Sequence, residues 1–222
     1  MVLGELTFRD LDRKWFLLEN KKEIKRINRL FHYKKSKYPL LCYCYIDHEA
    51  GISMRILGTI QVQDQEISLS KQQLEARMDI LRYSEIESFH LTPVPDEIWQ
   101  AISYTFDVIQ EMDVYYTDKD GILASRQDTR LDPYRNPVLV DDVAFLIVDG
   151  THPAEMLEGR ICDYDAESDR FCAEVLTEPE GEYPISVSSL VYLKYVDRPK
   201  YTGLAFLEKK EEDYNTFKVH TK

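Results

Sequence analysis

With 222 residues, 44% of them hydrophobic, the chain has the length of one large or two small domains and enough apolar material for a core. It contains no apolar run of about eighteen residues, and its N-terminus lacks the basic-then-apolar order of a secretion signal. The reading is therefore a cytosolic protein with no membrane role, and its four cysteines read as free thiols. The net charge of −12 is uneven: residues 1–130 carry 18 Lys and Arg against 21 Asp and Glu, and residues 131–222 carry 10 against 19, so the C-terminal half should repel nucleic-acid phosphates.

Taken in order, Leu3 to Phe8 reads as a short first strand, followed by a charged turn and the apolar run Lys14 to Leu18. Asn20 then caps an amphipathic helix over residues 20–34, in which Ile24, Ile27, Leu30 and Phe31 recur at helical spacing. Between Arg13 and Lys37 ten basic residues face only Glu19 and Glu23, a net +8, so Lys21, Lys22, Lys25, Arg26 and Arg29 form a basic helix face. That face is either plain solvated surface or a site for an acidic partner or nucleic acid.

Pro39 to Ile46 and Met54 to Val62 alternate as the arms of a hairpin around the turn Asp47 to Gly51. Cys42 and Cys44 share one face of the first arm. Their one-residue gap is poor geometry for a zinc site, so no metal is expected. Ser70 with Gln73 has the form of a capping box, predicting a second helix over residues 70–83 with Leu74, Met78 and Leu81 inward. Ile86 to Leu91 reads as a strand, broken at Thr92-Pro93-Val94-Pro95. Residues 102–116 match two templates: Asp96 opens a helix to about Ile109 followed by a strand from Val114 to Thr117, while Ile102, Tyr104, Phe106, Val108, Met112, Val114 and Tyr116 also fit a strand's period of two; the first is the reading taken. Asp118, Asp120 and Gly121 match half of a calcium loop, but Tyr116 and Gln127 stand where its first and last ligands belong, which leaves an ordinary Asp-Gly hairpin turn. Ser125 to Arg135 is polar and turn-rich, and the domain boundary is placed there, separating domains 1–127 and 131–222.

The C-terminal half carries the most legible pattern. Met156 to Asp163 and Arg170 to Leu176 both alternate around the polar turn Tyr164 to Asp169. A turn symmetric about Glu167 sets Ile161 opposite Ala173, Gly159 opposite Val175, Arg160 opposite Glu174 and Cys162 opposite Cys172. Leu157, Ile161, Phe171, Ala173 and Val175 then point inward. A slip of one residue would bury Arg160 and Glu174. Val143 to Val148 and Leu190 to Val196 supply two further strands, and Leu204 to Leu207 either closes the set or crosses back. The connection Thr177 to Pro184, with two prolines and Gly181, cannot be a central strand. The expected fold class is α+β: an N-terminal α+β domain followed by a small SH3-like barrel, which removes open sheet edges.

The segments Asp132-Pro133-Tyr134-Arg135, Asp141-Asp142-Val143, Glu158-Gly159-Arg160 and Leu176-Thr177-Glu178-Pro179 resemble a group of small, uncharacterised bacterial β-barrel domains. The resemblance covers under a third of the chain and implies no activity. Val140, Thr177 and Ser188-Ser189 stand where that group has Pro, Asn and Gly-Asp.

Two histidines have acidic company. His48 sits between Asp47 and Glu49 at a hairpin tip, and His152 lies with Glu155 in a loop, so each pair is a candidate acid/base couple. Ser186, Ser188 and Ser189 lack a nucleophile elbow. The expected function is a non-catalytic cytosolic protein-binding module without a cofactor, immunity- or antitoxin-like, whose acidic barrel meets a basic protein through Glu158 and Glu174. The rivals are a hydrolase-type enzyme using His48, Glu49, His152 or Glu155, and a nucleic-acid binder using the basic helix.

Overall fold

A computed structural model describes residues 1–32, 37–63, 66–71, 79–102, 120–150 and 152–210. The chain is α+β and divides into two compact units, Met1–Thr117 and Asp118–Lys222. The division thus falls ahead of the polar stretch where the sequence places the boundary, and the helix Asp120–Gln127 belongs to the second unit.

In the first unit the expected strand near Leu3 is absent. Leu3–Glu5 is a 3-10 turn and Phe8–Leu11 a single helical turn, α1, which Thr7 and Asp10 cap reciprocally: Thr7 Oγ1 donates to Asp10 at 2.6 Å. Strand β1 (Lys14–Leu18) pairs antiparallel with β2 (Leu40–Asp47), and β2 pairs with β3 (Gly51–Gln63), as the hairpin pattern predicts. All eight residues of β2 are buried, because both faces of this central strand are covered. Asp47 closes the β2–β3 turn by accepting from the backbone N–H of Glu49 and Ala50, and it also receives Arg82 at 2.8 Å.

Helix α2 (Lys21–Leu30) starts where Asn20 accepts from the Lys22 N–H at 2.9 Å. Its inner face is Glu23, Ile24, Ile27 and Asn28. The helix stops four residues short of the expected end: Leu30 is exposed, and His32 takes a left-handed conformation. The predicted helix over 70–83 is corrected at both ends. Ser70 lies in strand β4 (Glu66–Lys71), paired with Thr59. Leu81 lies in β5 (Ile80–Arg82), opposite Met54, and residues 72–78 are outside the described set. The capping box is overridden because both flanks find strand partners on the long β3. Tyr83–Ile86 forms the helical turn α3, Leu91–Pro93 is strand β6 against β1, and α4 (Asp96–Ile102) begins at Asp96 as expected. The remainder of that predicted helix and the strand at 114–117 lie outside the described residues.

In the second unit the Asp-Gly turn is replaced by helix α5 (Asp120–Gln127). Its buried side is Ile122, Ser125 and Arg126, a mostly polar stripe that hydrophobic periodicity cannot register. Gly121 is needed where it stands: a Cβ would lie 1.9 Å from Asp163 Oδ1 and 2.6 Å from Tyr164 N. A 3-10 segment (Thr129–Tyr134) leads to five strands, β7 (Asp142–Ile147), β8 (Glu155–Asp165), β9 (Arg170–Val175), β10 (Leu190–Arg198) and β11 (Tyr201–Lys209). They close into a ring in the order β10-β11-β7-β8-β9.

Four consecutive antiparallel pairings leave the first and fifth strands running the same way, so the ring can close only through a parallel pair. That seam is short, Leu204 against Phe145 and Ala205 against Leu146. The tail therefore closes the barrel. The predicted register holds at Gly159–Val175, Arg160–Glu174 and Ile161–Ala173. It fails at Cys162, where a bulge places Asp163 rather than Cys162 opposite Cys172. Leu157, Ile161, Phe171, Ala173 and Val175 are buried in the barrel core as expected, joined by Tyr183 and Ile185 from the Pro-containing connection.

Arg126 holds α5 to this barrel. It donates from Nε and Nη2 to the two carboxylate oxygens of Asp141 at 2.9 and 2.7 Å, and the side chains are 1% and 0% exposed. Arg135 adds bonds to the carbonyls of Val140 (2.8 Å) and Ser125 (2.5 Å), the latter in the last turn of α5. Removing one member of a buried pair leaves the other charge uncompensated. Arg126→Ala is expected to lower stability by about 3–5 kcal/mol in urea unfolding. The double variant Arg126→Met with Asp141→Leu should recover most of that loss.

Candidate binding surface on the barrel

The outer face of the barrel is read row by row across its strands. At the base, Asp142 on β7 lies opposite Arg160 on β8, and Arg160 lies opposite Glu174 on β9. Arg160 binds Asp142 through Nε at 2.6 Å and Nη2 at 3.1 Å, a two-pronged contact that fixes the guanidinium. The expected plus–minus register is present, but the cation is held by Asp142, and Glu174 makes no ion pair among the described residues. One row up, exposed Glu158 lies opposite Ala144 and likewise has no ion-pair partner among the described residues. Two of the predicted binding residues thus project from adjacent strands as unneutralised carboxylates. With 13 Lys and Arg against 22 Asp and Glu, residues 118–222 carry a net −9.

The histidine candidates are arranged differently from the sequence expectation. His152 does not meet Glu155; it pairs with Asp149 (Nδ1–Oδ2 2.7 Å) and packs on Tyr183 at 5.2 Å between ring centres. Glu155 accepts from the backbone N–H groups of Glu180 (2.9 Å) and Gly181 (2.8 Å), and Tyr183 donates to the Pro153 carbonyl at 2.6 Å. Together these contacts clasp two loops. Burial, then the charges of Glu155 and Asp149, push the Tyr183 hydroxyl up. Asp149 is a partner that proximity in sequence to Glu155 concealed. In the first unit Glu49 is exposed beside His48 at the hairpin tip, while the oriented carboxylate there is Asp47, committed to Arg82 and two backbone amides.

The basic helix face is on the surface: Lys21, Lys22, Lys25, Arg26 and Arg29 are exposed, and the Arg26 guanidinium lies 5.5 Å over the Phe89 ring. Glu23 is not part of that face. It is buried and accepts from the His90 backbone N–H at 3.1 Å while contacting the His90 ring at 2.9 Å.

At another edge of the barrel Arg130 ties three segments. It donates to Asp128 (2.7 Å) and Asp169 (2.9 Å) and covers the Tyr195 ring at 5.1 Å, and Tyr164 donates to Asp169 at 3.0 Å. Burial raises the Asp128 carboxyl, but the hydrogen bonds and charge of Arg130 outweigh it and hold the group below the usual range. Hydrogen bonding from Arg130, against burial, does the same for Asp169. Burial lifts Tyr201 to about 12. This hub is saturated and reads as structure.

Among the described residues no group of three or more His, Cys, Asp or Glu could hold a metal ion, and all four cysteines are free. Cys42 and Cys44 are buried in the first unit, where burial pushes both thiols up. Among the described residues no helix is long and apolar enough to cross a membrane. No protein-family model, no curated protein and no solved structure matches the chain.

Two outcomes follow from these environments. Both hub carboxylates are depressed, so their contribution is complete above about pH 4, where unfolded Asp ionises, and is lost as pH falls through the lower folded values. Arg130 is 42% exposed and therefore screened, which limits the effect of Arg130→Met to about 1 kcal/mol at pH 7, a difference that shrinks as the pH is lowered below about 4 in paired urea titrations. Native maleimide labelling should modify half-buried Cys162 well before buried Cys42, Cys44 and Cys172, as read by peptide mass mapping.

Proposed function

We propose that this chain is a non-catalytic protein-binding module in which the outer face of an SH3-like, acidic barrel meets a basic protein, in an immunity- or antitoxin-like role. The observation that carries the reading is the pairing of Arg160 with Asp142, which leaves Glu158 and Glu174 without ion pairs among the described residues on a surface of net negative charge. Carboxylates of this kind accelerate encounter with a cationic partner and reject anionic ones.

A meander of five strands closed on itself supports the SH3-like assignment. Of the residues that carry the resemblance, Arg135, Asp141, Asp142 and Arg160 each hold a tie at the start of the barrel. Four free thiols fit a reducing cytosol.

The test is capture from a lysate of the source cell, with the captured protein identified and eluted in a salt gradient. A basic protein is expected to be retained at low salt and released near 0.5 M, about twice the Debye screening of physiological salt. Glu158→Lys with Glu174→Lys should weaken retention roughly tenfold, and Lys25→Glu with Arg29→Glu on α2 should leave it unchanged. Retention that ignores the barrel reversals but follows those on α2 would sink the proposal and favour the nucleic-acid reading.

A further inference from the structure

The row beyond Glu158 changes chemistry. Met156 on β8 lies opposite Leu146 on β7, and Leu146 lies beside Ala205 across the parallel seam. Val148 follows Leu146 by two residues and Leu207 follows Ala205 by two, and because β7 and β11 run parallel these lie toward the same end of the barrel. Met156, Val148 and Leu207 are 51%, 56% and 41% exposed. Leu207 is the extra residue of the β-bulge against β10, with Phe206 and Glu208 paired on either side of it, so it has no cross-strand partner there. None of these side chains contributes to the barrel core, which is completed on the other side of the same strands by Phe145, Ile147, Leu157 and Leu204. Apolar side chains grouped across three neighbouring strands mark an interaction surface more often than scattered ones do.

We infer that this apolar row is the anchor point for an amphipathic basic segment of a partner protein, whose apolar side chains seat on Met156, Leu146 and Ala205 while a Lys or Arg reaches Glu158. The inference rests on the reading of the barrel as an acidic protein-binding face and names what that face would hold. Charge selects the occupant. Glu158 adjoins Met156 on the same face of β8, and although exposed Lys194 lies opposite Ala205 at the far end of the row, the unit around them is net negative. A second copy carries the same net −9 in this unit and is repelled, as is an anionic lipid surface, whereas a cationic segment is attracted. The apolar row is needed because exposed charges are screened beyond about 8 Å at physiological salt; charge steers the approach and buried apolar contact slows departure.

The probe is a synthetic 14-residue amphipathic peptide of leucine and lysine, compared with versions carrying serine for leucine or glutamate for lysine. Binding is followed by the methyl NMR signals of the full chain. The expected result is shifts confined to the methyls of Met156, Leu146, Val148 and Leu207, an affinity at least tenfold lower for both control peptides, and a loss of tenfold or more in Met156→Ser with Leu207→Ser. Since both substituted side chains are exposed, unchanged core signals should report an intact fold. If the serine peptide binds as well as the leucine peptide and is displaced by salt, the apolar anchor is overturned while the acidic-face reading survives. If no lysine peptide binds, both fall. Concentration-dependent shifts of the Met156 methyl without peptide, abolished by Met156→Ser, would reassign the row to self-association and overturn the partner named here.

Discussion

A guanidinium and a carboxylate, both withdrawn from water, set the geometry of the barrel. Charges in that position are tolerated only when contact is two-pronged and neighbouring polar groups are also satisfied. Arg126 and Asp141 meet the first condition, and Arg135 meets the second by taking the carbonyls of Val140 and Ser125. The pair places α5 and the entry to β7, and it does so where no apolar stripe on α5 is available for packing. Asp142, the next residue, serves a different cation, Arg160. Two adjacent carboxylates thus each hold a different guanidinium, and Glu174, which lies opposite Arg160, makes no ion pair among the described residues.

This division changes the meaning of the net charge. Many acidic residues of the chain do structural work: Asp47 closes a turn, Glu23 is buried against His90, Asp128 and Asp169 hold Arg130, and Glu155 staples a loop. Their charge is neutralised or spread over backbone amides and offers little to a partner. What remains on the outer strands includes Glu158 and Glu174, and Glu158 lies beside apolar side chains that the core does not use. Opposite chemistries one row apart on the same strands give a surface both long-range attraction and short-range adhesion.

Closure also shapes the rim of this surface. An odd number of alternating strands has a single parallel seam, and here it is two residue pairs long. Beyond it β11 bulges and β7 ends, so Leu207 and Val148 are turned out where a longer seam would have paired their backbones. The same irregularity recurs at Cys162, where a second bulge carries Asp163 toward Gly121 of α5. Both bulges re-aim side chains at the rim while leaving the interior alternation intact.

Strand alternation is a local property, and the sequence by itself determined what depends on it: the β2–β3 hairpin, the β8–β9 register from Gly159 to Ile161, the inward set from Leu157 to Val175 and the amphipathic, Asn-capped α2. The tertiary structure alone decided the rest. Ser70 and Leu81 became strand because β3 is long enough to pair with both flanks, overriding a local capping signal. Arg126 went inside because Asp141, fifteen residues away, waits there, and a charged residue in a polar stretch carries no periodic signal of burial. The proposed binding face was legible in part: Glu158 and Glu174 were read from the sequence, while the pairing of Arg160 with Asp142 rather than Glu174 and the apolar row beside Glu158 both depend on which strands become neighbours across a closed ring, a contact between residues far apart in the chain.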